Sequence, residues 1–262
     1  MKPTHLTPLT KRRFITRGLA ACGGLILAGC DRLSNTTWFP NTVLSIGEKL
    51  SSAAHHLAGG RKAMAQEFTE ADLSPEFRSN GTANPNNPAY QTHAKNDFAD
   101  WSVKVDGLVA QPATFTMAEL RALPSRTQIT RHDCVEGWSA IGKWTGTPLA
   151  NVLERVKPKP EARFVVFHCA DPMEADGTQR YYESIDLDDA YHPQTILAYA
   201  LNGKPLPIPN GAPIRVRIER QLGYKHAKYI ERIELVTSLA PIGGGKGGYW
   251  EDSGGYQWYA GI

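Results

Sequence analysis

From Trp101 onward, Gly and Pro cut the chain into short extended and helical runs, and that punctuation limits the folds open to it. Residues 101–105, Trp-Ser-Val-Lys-Val, alternate as a half-buried strand does, and Asp106-Gly107 follows as a turn. Residues 116–123 read as a short helix, with Thr116 at its N-cap and Glu119 three residues on. Residues 149–156 make a second helix, stopped by Pro158 and Pro160. Residues 163–169 are a buried strand, 186–191 a helical turn and 196–200 another strand, and 214–218 and 229–236 alternate again. Strands this short, interleaved with short helices, predict an α+β fold with mixed sheets rather than a doubly wound parallel sheet. Residues 243–248 read as a flexible glycine loop, with no Lys-Ser/Thr after it to make a phosphate loop.

Upstream the texture differs. Lys11-Arg12-Arg13 precedes Phe14-Ile15 and a short apolar run, the order of an export signal of twin-arginine type; the pair is Arg12-Arg13 or Lys11-Arg12. Leu27-Ala28-Gly29-Cys30 resembles a lipobox with Cys30 as the lipidated residue, and Asp31 resembles an inner-membrane retention signal. Residues 1–30 are therefore expected to be an address, on a protein held at the periplasmic face of the membrane by lipid. Residues 31–76 read as a tether and helical extension, with a short helix near 42–57 and a mixed helical stretch over 61–76; His55-His56 reads as solvated. A loop rich in Asn and Pro runs on to Tyr90. The formal charge of +3 falls toward neutral without the signal, which gives nucleic acid no hold. Of four cysteines, Cys22 leaves with the signal and Cys30 is capped. Cys134 and Cys169 remain, and a disulfide between them is an open alternative in an oxidising compartment.

One stretch concentrates chemistry: Arg131-His132-Asp133-Cys134-Val135-Glu136-Gly137-Trp138-Ser139, then Trp144-Thr145-Gly146-Thr147-Pro148. It sets a thiol among cationic and aromatic side chains, and neighbouring positive charge lowers a thiol's pKa toward the thiolate that binds soft metals. These words resemble the catalytic core of the sulfite oxidase-type molybdopterin oxidoreductases. The likeness is nearest to the bacterial periplasmic branch with the methionine sulfoxide reductase catalytic subunit, and spans about residues 77–262.

The resemblance implies a molybdenum-molybdopterin cofactor with Cys134 as catalytic metal ligand. Asn80 and Gly81, in Phe77-Arg78-Ser79-Asn80-Gly81, fall on cofactor-binding positions, as do Asn210 and Arg215. His226, the Ala227 backbone and Lys228 map to phosphate contacts, and Cys169 stands where that branch has a threonine lining the cofactor. Tyr199 matches the active-site tyrosine of sulfite oxidases, whereas Ser79 replaces their substrate-binding arginine. The function implied is oxygen-atom transfer to or from a small S- or N-oxo substrate, with reduction favoured over sulfite oxidation. The chain has no Cys-x-x-Cys-His haem motif and no ferredoxin cysteine pattern, so a separate electron-transfer protein is expected: a membrane haem protein or a periplasmic cytochrome. Two alternatives stand beside this: a cofactor-free binding lipoprotein on the same scaffold, and a thiol-redox protein using Cys134 and Cys169.

Overall fold

The computed structural model describes residues 63–174 and 176–262, together with Ile46 and Leu50. The export signal, Cys30, His55-His56 and most of the 42–57 stretch lie outside the described residues. Helix α1 (Pro88–Lys95) leads into β1 (Ser102–Gly107), β2 (Ala113–Thr116), α2 (Met117–Ala122), β3 (Arg126–Asp133), β4 (Ser139–Pro148) and α3 (Leu149–Val156). Then come β5 (Phe164–Pro172), β6 (Arg180–Asp186), α4 (Leu187–Ala190), β7 (Ile196–Leu201), β8 (Lys204–Pro205), β9 (Arg215–Arg217), β10 (Ile230–Val236) and α5 (Tyr249–Ser253).

The strands form two sheets. One runs β2-β1-β10-β5-β6, parallel only where β1 meets β10. The other runs β3-β4-β7-β8 and is antiparallel, with β9 also paired to β7. The α+β expectation holds. Helix α3 shows why the local sequence folds as it does: Leu149, Val152, Leu153 and Val156 recur at helical spacing and are fully buried. Each contributes roughly 1.5–3 kcal/mol of burial. They join Val103, Val105, Val165, Phe167, Ile185, Ile233 and Leu235 in the main core, while Trp144, Ile196, Ala198, Leu201 and Leu206 form a smaller one.

Three expectations are corrected. The described part of 61–76 is extended, with one 3-10 turn at Glu70–Asp72. Glu67 bridges Thr130, and Ser74 donates its N–H to Ile141 O, so this segment spends its backbone groups on the β3–β4 hairpin instead of on a helix. The Asn- and Pro-rich loop ends sooner than read: Asn87 caps α1 by accepting from the N–H groups of Ala89 and Tyr90, and Pro88 starts the helix. The glycine loop is closed on a carboxylate, since Asp252 accepts from the N–H groups of Gly244 and Lys246. Strand β6 and helix α5 had no clear periodic signal, and both matter below.

Helix α2 carries the capping box foreseen for it. Thr116 Oγ1 accepts from Glu119 N at 3.2 Å, and Glu119 Oε2 accepts from Thr116 N at 2.8 Å. Thr116→Ala is expected to lower unfolding stability by about 1 kcal/mol. Urea denaturation measures it, and a change near zero would mean the box adds nothing to a helix already pinned by Leu120.

Candidate active site

Cys134 sits at the tip of the β3–β4 hairpin. Its N–H donates to Trp138 O and its carbonyl accepts from Gly137 N, a tight turn that Gly137 permits with φ of +85°. Cys134 lines a cavity of about 170 Å³. Asn80, Gly81, Thr82, Glu136, Asp171, Tyr181, His226 and Lys228 line it, with Val135, Met173, Tyr224, Trp250 and Tyr256 on its apolar side. Five residues expected at the site thus converge there from distant stretches of the chain: Asn80, Gly81, Cys134, His226 and Lys228.

Asn210 and Arg215 support this ring from behind. Arg215 is fully buried, donates to Asn210 O at 3.1 Å and His226 O at 3.0 Å, and lies over the Trp144 ring. Burial pulls its pKa down to about 9, which keeps it charged at neutral pH. Cys169 is wholly buried on β5 and is not among the cavity's lining residues; burial pushes its thiol well above the ordinary value. Both cysteines are free thiols, against the disulfide alternative. Tyr199 also stands outside the lining, its half-buried ring under Arg121 of α2.

The electrostatics correct two expectations. Burial pushes the Cys134 thiol up, and the Glu136 carboxylate adds to this against the opposing backbone N–H groups of Glu136 and Val135. The positive charge expected to lower it is turned elsewhere: Arg131 pairs with Asp133, and Arg217 with Glu219. The 226–228 stretch likewise offers no idle phosphate donors. Lys228 Nζ gives its three protons to the carbonyls of Asn80 (2.6 Å), Thr82 (2.5 Å) and Pro209 (2.9 Å). The Ala227 N–H donates to Lys225 O, and His226 Nε2 donates to Gln221 O. Burial holds His226 well below the ordinary imidazole value, so its Nδ1 is a bare acceptor.

A second buried network orients the hairpin. Arg217 grips Glu219 with Nε at 2.9 Å and Nη2 at 2.6 Å, stacks 4.4 Å from the Trp144 ring centroid, and donates Nη1 to His132 Nδ1 at 2.8 Å. His132 therefore carries its proton on Nε2, which faces Gly223 so closely that a Cβ there would sit 2.5 Å away.

The donor set fits a pterin. Among the lining residues Asn80 Oδ1, Asp171 Oδ1 and His226 Nδ1 are buried acceptors without partners, while the partnerless donors Asn210 Nδ2, Arg215 Nε and His132 Nε2 belong to residues behind the lining. Acceptors left open in a cavity wall are costly unless a bound group satisfies them, and a pterin edge has N–H donors to offer. Among the described residues no three His, Cys, Asp or Glu side chains form a metal site of their own, so a metal at Cys134 needs cofactor ligands.

The fold and pocket define an α+β protein whose cavity, with Cys134 in its wall, suits a pterin-bearing cofactor. The oxidoreductase molybdopterin binding domain matches residues 90–241, and the chain belongs to that family. It is 45% identical over 165 residues to YedZ1 of Azospira oryzae, named as a putative protein-methionine-sulfoxide reductase subunit, covering 63% of this chain and 57% of that one. It is 40% identical over 150 residues to the protein-methionine-sulfoxide reductase catalytic subunit MsrP of Xanthomonas campestris, covering 54% and 47%. With the MsrP of Ralstonia nicotianae the figures are 39% over 149 residues, 54% and 45%. The chain thus spans about half the length of these curated relatives. The sulfane dehydrogenase SoxCD of Paracoccus pantotrophus overlays with a TM-score of 0.48 at 20% identity over 53% of this chain and 39% of that one, a likeness too slight to carry functional weight.

Sequence reading missed Asp171, Tyr181, Tyr224, Trp250 and Tyr256. Asp171 had a signal, being an acid at the end of an apolar strand. It is 3% exposed, and burial raises its carboxyl to about 6, against the lowering pull of Thr82 and Lys228. A raised carboxyl holds its proton in the folded state beyond the unfolded value, so stability is lost as pH climbs from about 4 to about 6. In cofactor-free protein, Asp171→Asn is expected to gain on the wild type by up to about 3 kcal/mol between pH 3 and pH 8. Denaturant unfolding at both pH values checks this, and a constant difference would mean an ordinary carboxylate.

Proposed function

We propose that this chain is a periplasmic, membrane-tethered molybdenum oxidoreductase that reduces S- or N-oxides. One observation carries the direction: no arginine is among the residues lining the cavity, whereas the carboxyls Glu136 and Asp171 are. Sulfite is an anion best held by positive charge that can donate to it, but the cavity's lysine turns all three of its N–H groups to carbonyls. Arg78 is exposed and Ser79 is not a lining residue, so neither supplies that charge. A sulfoxide or amine oxide is neutral overall and enters without it. The relatives' names add methionine sulfoxide carried on proteins as the substrate to try first.

The bound cofactor supplies two-electron oxygen-atom transfer. Overall, a sulfoxide takes up two protons and two electrons, its sulfur–oxygen bond breaks, and a sulfide and one water leave. Cys134 would hold the metal as its thiolate, since a metal ligand must be deprotonated. Asn80, His226 and Asp171 would accept from the pterin's N–H groups, while Arg215 fixes the Asn210 and His226 carbonyls behind them. The apolar side excludes bulk water. Electrons arrive from a separate protein, a membrane haem protein or a periplasmic cytochrome, and the relatives named as subunits support a partner of this kind. Residues 1–30 act as the export signal, Cys30 takes the lipid, and residues 31–76 form a tether and an N-terminal extension whose described part packs on the domain of residues 77–262.

Protein exported from a molybdopterin-competent host is expected to hold about one molybdenum per chain and to reduce sulfoxides with a reduced dye. Cys134→Ser should keep most of its pterin, which many contacts hold, and lose turnover. Metal analysis, pterin fluorescence and dye oxidation measure the three. Molybdenum below a tenth of an equivalent in folded protein would sink the cofactor reading. Sulfite oxidation without sulfoxide reduction would reverse the direction alone.

A further inference from the structure

We propose that Trp250 and Tyr256, with Tyr224, form a specificity wall that selects sulfoxides carrying an aromatic substituent over small dialkyl sulfoxides. This deepens the S-oxide reductase reading and rests on it. The domain match ends at residue 241, yet Trp250 and Tyr256 lie beyond it and still line the cavity beside Cys134. Two of the wall's three rings thus belong to a part of this chain that the family match does not describe.

Its geometry suits a flat apolar group. The Trp250 and Tyr256 rings are 5.8 Å apart at 24°, and Tyr224 meets Tyr256 edge-on at 5.0 Å and 72°. Met173 and Val135 extend the apolar surface. Tyr256 is 37% exposed, and it borders both the cavity and an open groove that also touches Val135 and Tyr224, which sets this ring at the entrance. The Tyr224 hydroxyl is occupied, donating to Gln257 O at 2.6 Å, so its ring and not its phenol meets a ligand. Aromatic faces and edges favour aryl groups and polarisable sulfur at separations of this order.

The wall is also held rigidly. Lys225 Nζ sits between Glu183 and Glu251, with all three side chains at most 1% exposed, and this pins α5 to β6. On the same helix Asp252 accepts from the Tyr182 hydroxyl as well as the glycine loop. Gly254 N and Tyr256 N both donate to Trp250 O, which fixes the two rings relative to each other. A preformed aromatic face loses little freedom when a ligand arrives, so its contacts show in affinity.

The test compares cofactor-loaded wild type, Trp250→Ala, Trp250→Phe and Tyr256→Ala. Each is assayed with reduced dye on methyl phenyl sulfoxide and dimethyl sulfoxide, and titrated calorimetrically with methyl phenyl sulfone, which cannot donate oxygen in this way. In Trp250→Ala and Tyr256→Ala the preference for the phenyl substrate, as a ratio of kcat/KM values, should fall about fivefold to tenfold, mainly through KM. Sulfone affinity should fall by a similar factor, and Trp250→Phe should retain most of both. Tyr256, at the surface, keeps the test valid if Trp250→Ala fails to fold. An unchanged preference with unchanged sulfone affinity, in folded variants of an active enzyme, overturns the wall. A wild type that reduces no sulfoxide but binds the sulfone through these residues overturns the reaction and leaves the wall standing.

Discussion

Arg217 is the interaction on which the site's geometry turns. It has no exposed surface, and neither has Glu219, the carboxylate that neutralises it. Removing one member of such a pair strands the other charge in a dry interior, at about 3–5 kcal/mol. Arg217 also stacks on Trp144 of β4 and donates to His132 of β3. One guanidinium therefore ties β9 to both strands of the hairpin whose tip presents Cys134. Gln128 extends the network by donating to Glu219 Oε1 at 2.9 Å and Gln194 O at 3.0 Å. The N-terminal segment joins it too, because Gln194 exchanges hydrogen bonds with Ala65.

The balance of charge around the cavity follows from how its cations are spent. Arg217 is committed to a carboxylate and an imidazole, Arg215 to two carbonyls, Lys228 to three carbonyls and Lys225 to two glutamates. What remains open toward the space before Cys134 is a set of acceptors and aromatic faces. A chain whose local composition looks basic thus builds a pocket whose cations turn their N–H groups away from the open space, which counting charges along the sequence would not reveal.

Local physics was legible in the sequence and long-range physics was not. Helix α3 declares itself through the spacing of Leu149, Val152, Leu153 and Val156, and α2 through Thr116 and Glu119. Cys134, Asn80 and Lys228 were reached through motif likeness, and the chain brings them together. Tyr199 was reached the same way but lies under Arg121, outside the lining, because a motif fixes a residue's place on a strand and not what its face packs against. Trp250 and Tyr256 belong to a helix of five residues and a loop, with no periodicity to read. Their role exists only once Lys225 docks that helix on β6.

Lys228 has a consequence for the order in which the molecule closes. Its bonds to Asn80 and Thr82 join residues 148 and 146 positions apart, and the hydroxyl of neighbouring Tyr229 reaches the same Thr82 carbonyl. Contacts that close loops of this size come late, after hairpins such as β3–β4 have formed from near neighbours. The lysine thus joins two distant stretches of chain at the site, so this part of the cavity wall exists only in the assembled fold.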